Sequence, residues 1–329
     1  MFSGIESADI IFGTSYGDEG KGKIVASYAK NYDAVCRWAG GSNAGHTIIL
    51  NGKKIVTHVV PSGIVAGKLS IIGPGCVLNV EKFLSELAEL EAVGLDTTLV
   101  KIHPNCHIVQ DFHIEDDSKS NVIGTTVNGV GPTYADKALR IGLRARDVAE
   151  LAPYILKQEV KGRILCEGAQ GALLDINSNS YPYVTSSETM PYAACSLGFS
   201  HKKIGNVIAV AKAYETRVGE DPNFPEPKDS ALINLAKLGN EYGATTGRPR
   251  RCRWLDINAL QDVLKRSGAT ILHINKCDIL QAGGVYVYRY KDAETACNTM
   301  NQWEAHIKRL LGIKIVFNYS PKITEPVYA

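Results

Sequence analysis

The stretch GTSYGDEGKGK, residues 13–23, follows the apolar run IIF at residues 10–12. Its four glycines and two lysines stand where a buried strand would become a helix. Such a loop suits phosphate, because glycine lets backbone N–H groups approach an anion. Residues 17–23 fit the spacing G-x-x-x-x-G-K of nucleoside-triphosphate loops, although Ile24 stands where that motif has Ser or Thr to hold magnesium. The alternative is a tight strand-to-helix turn whose charges are solvated.

Two adjacent carboxylates, Asp18 and Glu19, lie inside this loop. A carboxylate there would repel phosphate unless it holds a metal or takes a proton from the substrate. The loop therefore predicts metal or acid–base chemistry in addition to phosphate binding.

Composition narrows the class of protein. The chain has 329 residues, and 36 Lys plus Arg stand against 34 Asp plus Glu, so the formal net charge is +2. This balance predicts neither a nucleic-acid partner nor an acidic membrane partner. The first residues resemble no secretion signal and no apolar run approaches the length of a membrane helix, so we expect a cytoplasmic protein. Eight scattered cysteines without a C-x-x-C pair predict reduced core thiols.

The hydrophobic pattern predicts an α/β fold. Short apolar runs occur at residues 10–12, 34–38, 69–72, 99–102, 163–166, 207–211 and 271–275. Between some of them lie helical periods, and Gly94, Gly268 and Gly312 follow three apolar helix faces as candidate helix ends. We therefore expect a largely parallel central sheet flanked by helices, with small subdomains formed by loop insertions, in a single domain over residues 1–329.

A second glycine-rich segment, GGSNAGHT at residues 40–47, follows the strand-like residues 35–38. Its small residues form a loop whose backbone can approach a ligand, with His46 held for proton transfer or for stabilisation of an oxyanion. The alternative is a purely structural histidine.

Two more segments suit a nucleotide and an anionic substrate. NKCD, residues 275–278, follows an apolar strand, and an Asp carboxylate can accept two hydrogen bonds from guanine, as N-K-x-D does in regulatory GTPases. GATTGRPRRCR, residues 243–253, reads as a flexible loop whose arginines fit a substrate carboxylate, or alternatively as a solvated surface. The segments EGAQG (167–171), YPYVTSS (181–187) and GTT (124–126), with Arg140 further on, offer amides, hydroxyls and a cation for a base or a phosphate, although turn chemistry alone could explain them.

Taken together and in this order, these segments resemble the adenylosuccinate synthetase family, whose members join aspartate to inosine monophosphate (IMP) using GTP. The resemblance runs from Ile10 to about Ser320, and GDEGKGK, GGSNAGHT, EGAQG, YPYVTSS, KAYETRVG and GATTGR are jointly specific. The chain is shorter than the usual members, and Val127-Asn128 replaces the usual Gly-Arg after Thr126.

The resemblance implies a mechanism. Asp18 would be the general base at N1 of IMP, and His46 would stabilise the oxyanion at O6 as it attacks the γ-phosphate of GTP. The amine of aspartate would then displace phosphate from 6-phosphoryl-IMP. Mg²⁺ would be held by the Asp18 carboxylate and the Gly45 carbonyl, and Gln170 would complete the catalytic set.

The resemblance also implies contacts for each substrate and a homodimer in which Arg140 reaches IMP from the neighbouring subunit. The expected GTP contacts are Gly17, Glu19, Gly20, Lys21, Gly22, Lys23, Gly45, His46, Thr47, Lys276, Asp278 and Ser320. The expected IMP contacts are Asp18, Asn43, Ala44, Thr125, Thr126, Arg140, Gln170, Thr185 and Arg248. The expected L-aspartate contacts are Thr245, Thr246, Gly247, Arg248 and Arg250.

Two other functions remain open from the sequence. A regulatory GTPase would fit the first loop and NKCD, but such switches use a D-x-x-G segment to sense the γ-phosphate, and this sequence contains none. A kinase or ligase that acts on another acceptor is the third possibility.

Overall fold

The computed structural model describes residues 1–50, 52–119, 124–219, 221–243 and 247–320. Within these ranges the strands are β1 (Ile5–Gly13), β2 (Ala34–Arg37), β3 (His46–Leu50), β4 (Lys53–Thr57), β5 (Leu69–Ile72), β6 (Val77–Leu78), β7 (Val100–Ile102), β8 (His107–Ile108), β9 (Gly162–Glu167), β10 (Ile204–Lys212), β11 (Tyr214–Arg217), β12 (Arg251–Asp256), β13 (Ile271–Asn275), β14 (Tyr286–Tyr290), β15 (Ala293–Cys297) and β16 (Lys314–Phe317). The helices are α1 (Lys21–Tyr28), α2 (Val80–Ala92), α3 (Asp111–Lys119), α4 (Val130–Leu139), α5 (Ser230–Leu238), α6 (Ile257–Ser267), α7 (Cys277–Gly283) and α8 (Met300–Leu311).

An eight-stranded sheet organises the chain in the order β16-β13-β10-β1-β9-β2-β5-β7. Each of its pairings is parallel, with β1 between β9 and β10. The last six residues of β1 are all buried, as a strand covered on both faces requires, and this explains the continuous apolar runs. The predicted parallel α/β fold is confirmed.

The three predicted helix ends are also confirmed. Gly268 and Gly312 follow α6 and α8 with φ of 65° and 61°, and Gly94 lies just beyond α2 with φ of 87°. Glycine takes this left-handed conformation without a Cβ clash, which is why it ends helices so often.

Smaller sheets are attached to the central one, as expected for subdomains. Strands β11, β12, β14 and β15 form a four-stranded sheet, β3 pairs with β4, and β6 pairs with β8. Two segments predicted as loops differ from the prediction. His46 and Thr47 begin β3, because residues 46–50 pair with β4 in an antiparallel ladder. Residues 251–253 belong to β12. Cys252 is buried, and Arg251 and Arg253 on either side of it are partly exposed, because successive side chains of a strand point to opposite faces.

One large hydrophobic cluster joins the central sheet to the four-stranded sheet. It contains Ile10 and Phe12 of β1, Trp254 of β12 and Trp303 of α8. All eight cysteines are free thiols and seven of them are buried, which confirms that prediction. Among the described residues, no helix combines the length and the apolar character needed to cross a membrane.

Val127 has a backbone conformation that valine rarely adopts. Its φ is 52°, in the left-handed region, at the position where the resemblance leads one to expect glycine. A non-glycine residue costs about 1–2 kcal/mol there, and branching at Cβ adds to the strain. The side chain of the next residue, Asn128, donates to Thr126 Oγ1 at 3.0 Å and accepts from Lys82 Nζ at 2.5 Å, and these contacts help to hold the segment in place.

We expect Val127→Gly to raise the free energy of unfolding by about 1 kcal/mol, since it relieves this strain. Urea unfolding would measure the change. Val127→Ala is the matched control, because it shortens the side chain but keeps Cβ. If the alanine variant gains as much as the glycine variant, backbone strain is not the cause.

Candidate functional site

The chemical motifs follow the carboxyl ends of neighbouring parallel strands. The first loop follows β1, the second follows β2, EGAQG starts at the last residue of β9, KAYETRVG starts at the last residue of β10, and NKCD starts at the last residue of β13. Parallel strands end on the same edge of a sheet, and ligands of open α/β sheets bind at that edge. The topology therefore brings together five segments that are far apart in sequence.

A cavity opens where the first four of these segments meet. It is lined by all of the expected IMP contacts except Arg140, and also by Gly17, Gly45 and Arg250. The IMP contacts around it are Asp18, Asn43, Ala44, Thr125, Thr126, Gln170, Thr185 and Arg248.

The first loop packs directly against EGAQG. Gly17 has φ of 92°, and a Cβ at this position would lie 2.7 Å from Cα of Gln170. Gln170 itself has φ of 53°. Any side chain at residue 17 would therefore force the two loops apart.

A buried ion pair closes the first loop. Glu19 and Lys21 are each 1% exposed. Lys21 Nζ donates to Glu19 Oε2 at 2.9 Å and to the Gln170 carbonyl at 2.6 Å. Glu19 Oε1 accepts from the N–H groups of Ser15 and Gly17, both at 2.9 Å. The alternative of a turn with solvated charges is thus wrong for this pair. Besides metal binding and proton transfer, neutralisation by Lys21 explains a carboxylate at residue 19.

Lys21, Gly22 and Lys23 form the first turn of α1, which follows Gly20 at φ of 84°. Because internal acceptors already bind Lys21, its contact with a GTP phosphate would need an exchange of partners. That contact stays a prediction.

Cations and a hydroxyl surround Asp18. Its Oδ2 accepts a hydrogen bond from Thr216 Oγ1 and lies 3.1 Å from Arg250 Nε and 3.9 Å from Lys212 Nζ. In the part of the chain that the structure describes, no hydrogen bond or ion pair reaches Oδ1. This carboxylate therefore has one oxygen fixed by the protein and one left for ligands.

The protein contacts of the His46 ring are made by Nδ1. Its Nδ1 contacts a carboxylate oxygen of Glu167 and lies 3.3 Å from Ser62 Oγ. Burial lowers the pKa of His46, against the attraction of Glu167. Burial alone would raise the pKa of Glu167, but His46 and then Arg37 outweigh it and hold that pKa below its usual value. Nε2 of His46 is buried without a hydrogen-bond partner among the described residues, so it is the nitrogen left for a ligand.

The residues expected around guanine are divided between two environments. Lys23 Nζ donates to the Ser320 carbonyl at 2.8 Å, and burial lowers the pKa of Lys23 to about 8 against the attraction of Asp278. Lys276 instead donates to the Gly239 carbonyl at 2.8 Å. The structure thus brings Lys23, Asp278 and Ser320 together. The ammonium group of Lys276 is instead directed to Gly239, which precedes residues 243–253, the arginine loop.

Three of the expected aspartate contacts, Gly247, Arg248 and Arg250, lie close together in the described part of the chain. The N–H of Gly247 donates to the Gly243 carbonyl at 2.9 Å, and Arg248 Nη2 donates to the Gly124 carbonyl at 3.3 Å. Arg248 and Arg250 both line the cavity. Thr245 and Thr246 lie outside the described residues.

Arg140 lies in a different place from the other expected IMP contacts. It is exposed, and it lines a second cavity with Lys137, Arg144 and His107. Thr47 is also exposed, on β3.

Several residues around the cavity are not predicted from the sequence. Tyr16, Asp117 and Arg217 line the cavity. Arg217 Nη2 donates to the Tyr183 carbonyl at 2.7 Å, and Asp117 Oδ1 accepts from Thr125 Oγ1 at 2.9 Å. Arg217 belongs to KAYETRVG, one of the segments that carry the family resemblance. Asp117 carries no local signal, since it lies within the helix α3.

Glycine-rich loops around a cavity at the carboxyl edge of a parallel sheet are typical of a nucleotide-binding α/β enzyme. The family model for adenylosuccinate synthetase matches residues 10–161 and 149–302. The chain belongs to the adenylosuccinate synthetase family.

Individual relatives agree with this assignment. The adenylosuccinate synthetase of Thermodesulfovibrio yellowstonii is 39% identical over 334 residues, covering 83% of this chain and 78% of that protein. That of Brevibacillus brevis is 37% identical and covers 98% of this chain and 89% of that protein. The structure of fully ligated adenylosuccinate synthetase from Plasmodium falciparum is similar with a TM-score of 0.83 and 28% identity, covering 96% of this chain and 98% of that one.

The chain is therefore a ligase of purine biosynthesis, which joins IMP and L-aspartate at the expense of GTP. A regulatory GTPase is not favoured.

The ion pair in the first loop yields a stability prediction. Lys21→Met should lower the free energy of unfolding by about 3 kcal/mol, because Glu19 would stay buried without its cation. The double variant Glu19→Gln/Lys21→Met should recover about 1 kcal/mol of that loss. Urea unfolding measures the loss in each variant. Equal losses would show that the buried carboxylate of Glu19 does not destabilise the protein when Lys21 is absent.

Proposed function

We propose that the ligation takes place in the cavity beside Asp18, with Asp18 as the general base at N1 of IMP. The observation that carries this proposal is the grouping of the expected IMP contacts, all but Arg140, around one cavity with the free oxygen of Asp18. A general base needs an oxygen that can accept the proton, and Oδ1 of Asp18 has no hydrogen bond or ion pair among the described residues.

In the same proposal, Nε2 of His46 stabilises the oxyanion at O6 while that oxygen attacks the γ-phosphate. Its support is the geometry, because Nδ1 is fixed by Glu167 and Nε2 is the ring nitrogen left for a ligand. Gln170, whose Oε1 is buried without a partner among the described residues, would hold the substrate in the same cavity. The amine of aspartate then displaces phosphate at C6, with the carboxylates of aspartate against Arg248 and Arg250.

The Asp18 carboxylate and the Gly45 carbonyl would hold Mg²⁺. Both residues line the cavity and both offer oxygen. Mg²⁺ in phosphate-transferring sites is commonly bound by one or two carboxylates together with substrate phosphates and water, so this donor set fits. When bound, the ion would neutralise charge that develops on the transferred phosphoryl group.

We further infer a homodimer in which Arg140 contributes to the neighbour's IMP site. Arg140 lies outside its own chain's main cavity and between two exposed apolar residues, Leu139 at 63% and Ile141 at 70% exposure. Large apolar side chains beside an exposed arginine are typical of protein interfaces.

Two broader inferences complete the proposal. The hydrophobic cluster that joins the central and four-stranded sheets supports a single domain over residues 1–329. The eight free thiols support a reducing, cytoplasmic location.

The decisive assay measures adenylosuccinate formed from IMP, aspartate, GTP and Mg²⁺. Each component is omitted in turn, and ATP replaces GTP in a parallel reaction. We expect a requirement for all four components and little activity with ATP. GTP hydrolysis that is indifferent to IMP and aspartate would contradict the proposal.

Asp18→Asn should lower kcat by about 100-fold or more, because an amide cannot act as a general base. Circular dichroism would show that the fold is kept. Asp262→Asn, which makes the same change at an exposed helix position, is the control. Near-normal turnover of Asp18→Asn would rule out this base.

Mixing subunits tests the shared site. Arg140→Ala and Asp18→Asn should each be inactive alone, whereas a mixed dimer holds one intact site of two. A random mixture should therefore regain about one quarter of wild-type activity. No recovery after denaturation and co-refolding of the two variants would exclude Arg140 as the neighbour's residue.

A further inference from the structure

A carboxylate outside the assigned motifs lies between the general base and the arginine loop. Glu241 stands just before residues 243–253 and is 2% exposed. Burial of a charge is costly unless partners compensate for it, so the contacts of this side chain indicate what it does.

Glu241 accepts from three groups, two of them cationic. Lys212 Nζ donates to its Oε1 at 2.8 Å, and so does the Tyr214 hydroxyl at 2.7 Å. Arg250 Nη1 donates to its Oε2 at 2.6 Å. Lys276 Nζ lies 3.6 Å away, but its hydrogen bond is made to Gly239. Both oxygens of the carboxylate are therefore bound to a cation.

The same two cations also reach Asp18. Arg250 Nε is 3.1 Å from Asp18 Oδ2. Lys212 Nζ lies 2.6 Å from Thr216 Oγ1, and because an ammonium can only donate, the Thr216 hydroxyl must point its proton at Asp18. Glu241 and Asp18 thus share Lys212 and Arg250 between them.

Glu241 also fixes the stem of the arginine loop through its backbone. The N–H of Arg250 donates to the Glu241 carbonyl at 3.0 Å, and the N–H of Gly243 donates to the Arg248 carbonyl at 2.8 Å. The backbone and the side chain of Glu241 therefore hold the same arginine, at the base of the loop that carries the expected aspartate contacts.

We propose that Glu241 is a positioning residue of the ligation, which holds Arg250 for the aspartate substrate and keeps Lys212 and Arg250 from closing on Asp18. This inference rests on the proposed roles of Asp18 and Arg250. Without the charge of Glu241, Asp18 becomes the nearest carboxylate for both cations. Arg250 then moves away from the aspartate site, and the base is held in ion pairs.

The test is the kinetics of Glu241→Gln, which keeps the shape and removes the charge. The KM for aspartate should rise about tenfold and kcat should fall about tenfold, in line with coupling energies between contacting residues. The KM for GTP should stay within about twofold, since Lys276 keeps its bond to Gly239. An unchanged KM for aspartate overturns the proposal, whatever happens to the melting temperature.

Tyr214→Phe is the matched control. It removes a neutral hydrogen bond from the same carboxylate and leaves both cations in place, so the KM for aspartate and kcat should stay within about twofold of wild type. If Tyr214→Phe and Glu241→Gln raise the KM for aspartate equally, Glu241 has only a structural role and the proposal fails.

A second variant covers the case in which Glu241→Gln does not fold. Glu241→Asp keeps the charge but is too short to hold both cations, and it should raise the KM for aspartate about fivefold. No rise in a folded Glu241→Asp protein overturns the proposal. Asp18→Asn, assayed in parallel, separates the two hypotheses, because normal turnover in that variant refutes the assigned base, whereas an unchanged KM for aspartate in the Glu241 variants refutes only the positioning role.

Discussion

Parallel pairing of β1 with β9 and β10 is the constraint on which the site depends. Ile11 lies opposite Glu167, and Gly13 lies opposite Val210, so the three strands end at nearly the same level. A register shift of one residue would move the side chain of Glu167 to the other face of the sheet, away from His46. The register of the strands therefore determines which side chains lie at the edge of the sheet where the loops meet.

Charges buried at this edge are compensated locally. Lys21 neutralises Glu19, Glu167 is bound to His46, and Glu241 binds cations that also face Asp18. Buried ion pairs contribute little net stability, because desolvation offsets most of their attraction. Their value here is geometric, since each pair fixes the direction of its side chains, among them Arg250, which lines the cavity.

The sequence predicted the central sheet well, because a strand that is covered on both faces must be apolar along its length. It predicted the helix ends at Gly94, Gly268 and Gly312 for a local steric reason. Partners far apart in the chain were beyond this kind of reasoning. Glu167 lies 121 residues from His46, and Thr216 lies 198 residues from Asp18. Periodicity and spacing carry no information on such pairs. The prediction that these residues share one site came from the resemblance of whole motifs to a known family.

The first loop matches the nucleoside-triphosphate motif only in part. Its spacing places Lys23 where a nucleoside-triphosphate loop has its phosphate-binding lysine, yet Lys23 binds the Ser320 carbonyl. Ile24, at the position of the metal-binding hydroxyl, is fully buried in a cluster with Val25, Val35 and Leu165. An apolar side chain in a core cannot serve a cation, so any metal oxygen from this loop must come from a residue that faces the cavity. Asp18 is the carboxylate of the loop that does so, which supports the proposal that one residue of this loop serves both the metal and the proton.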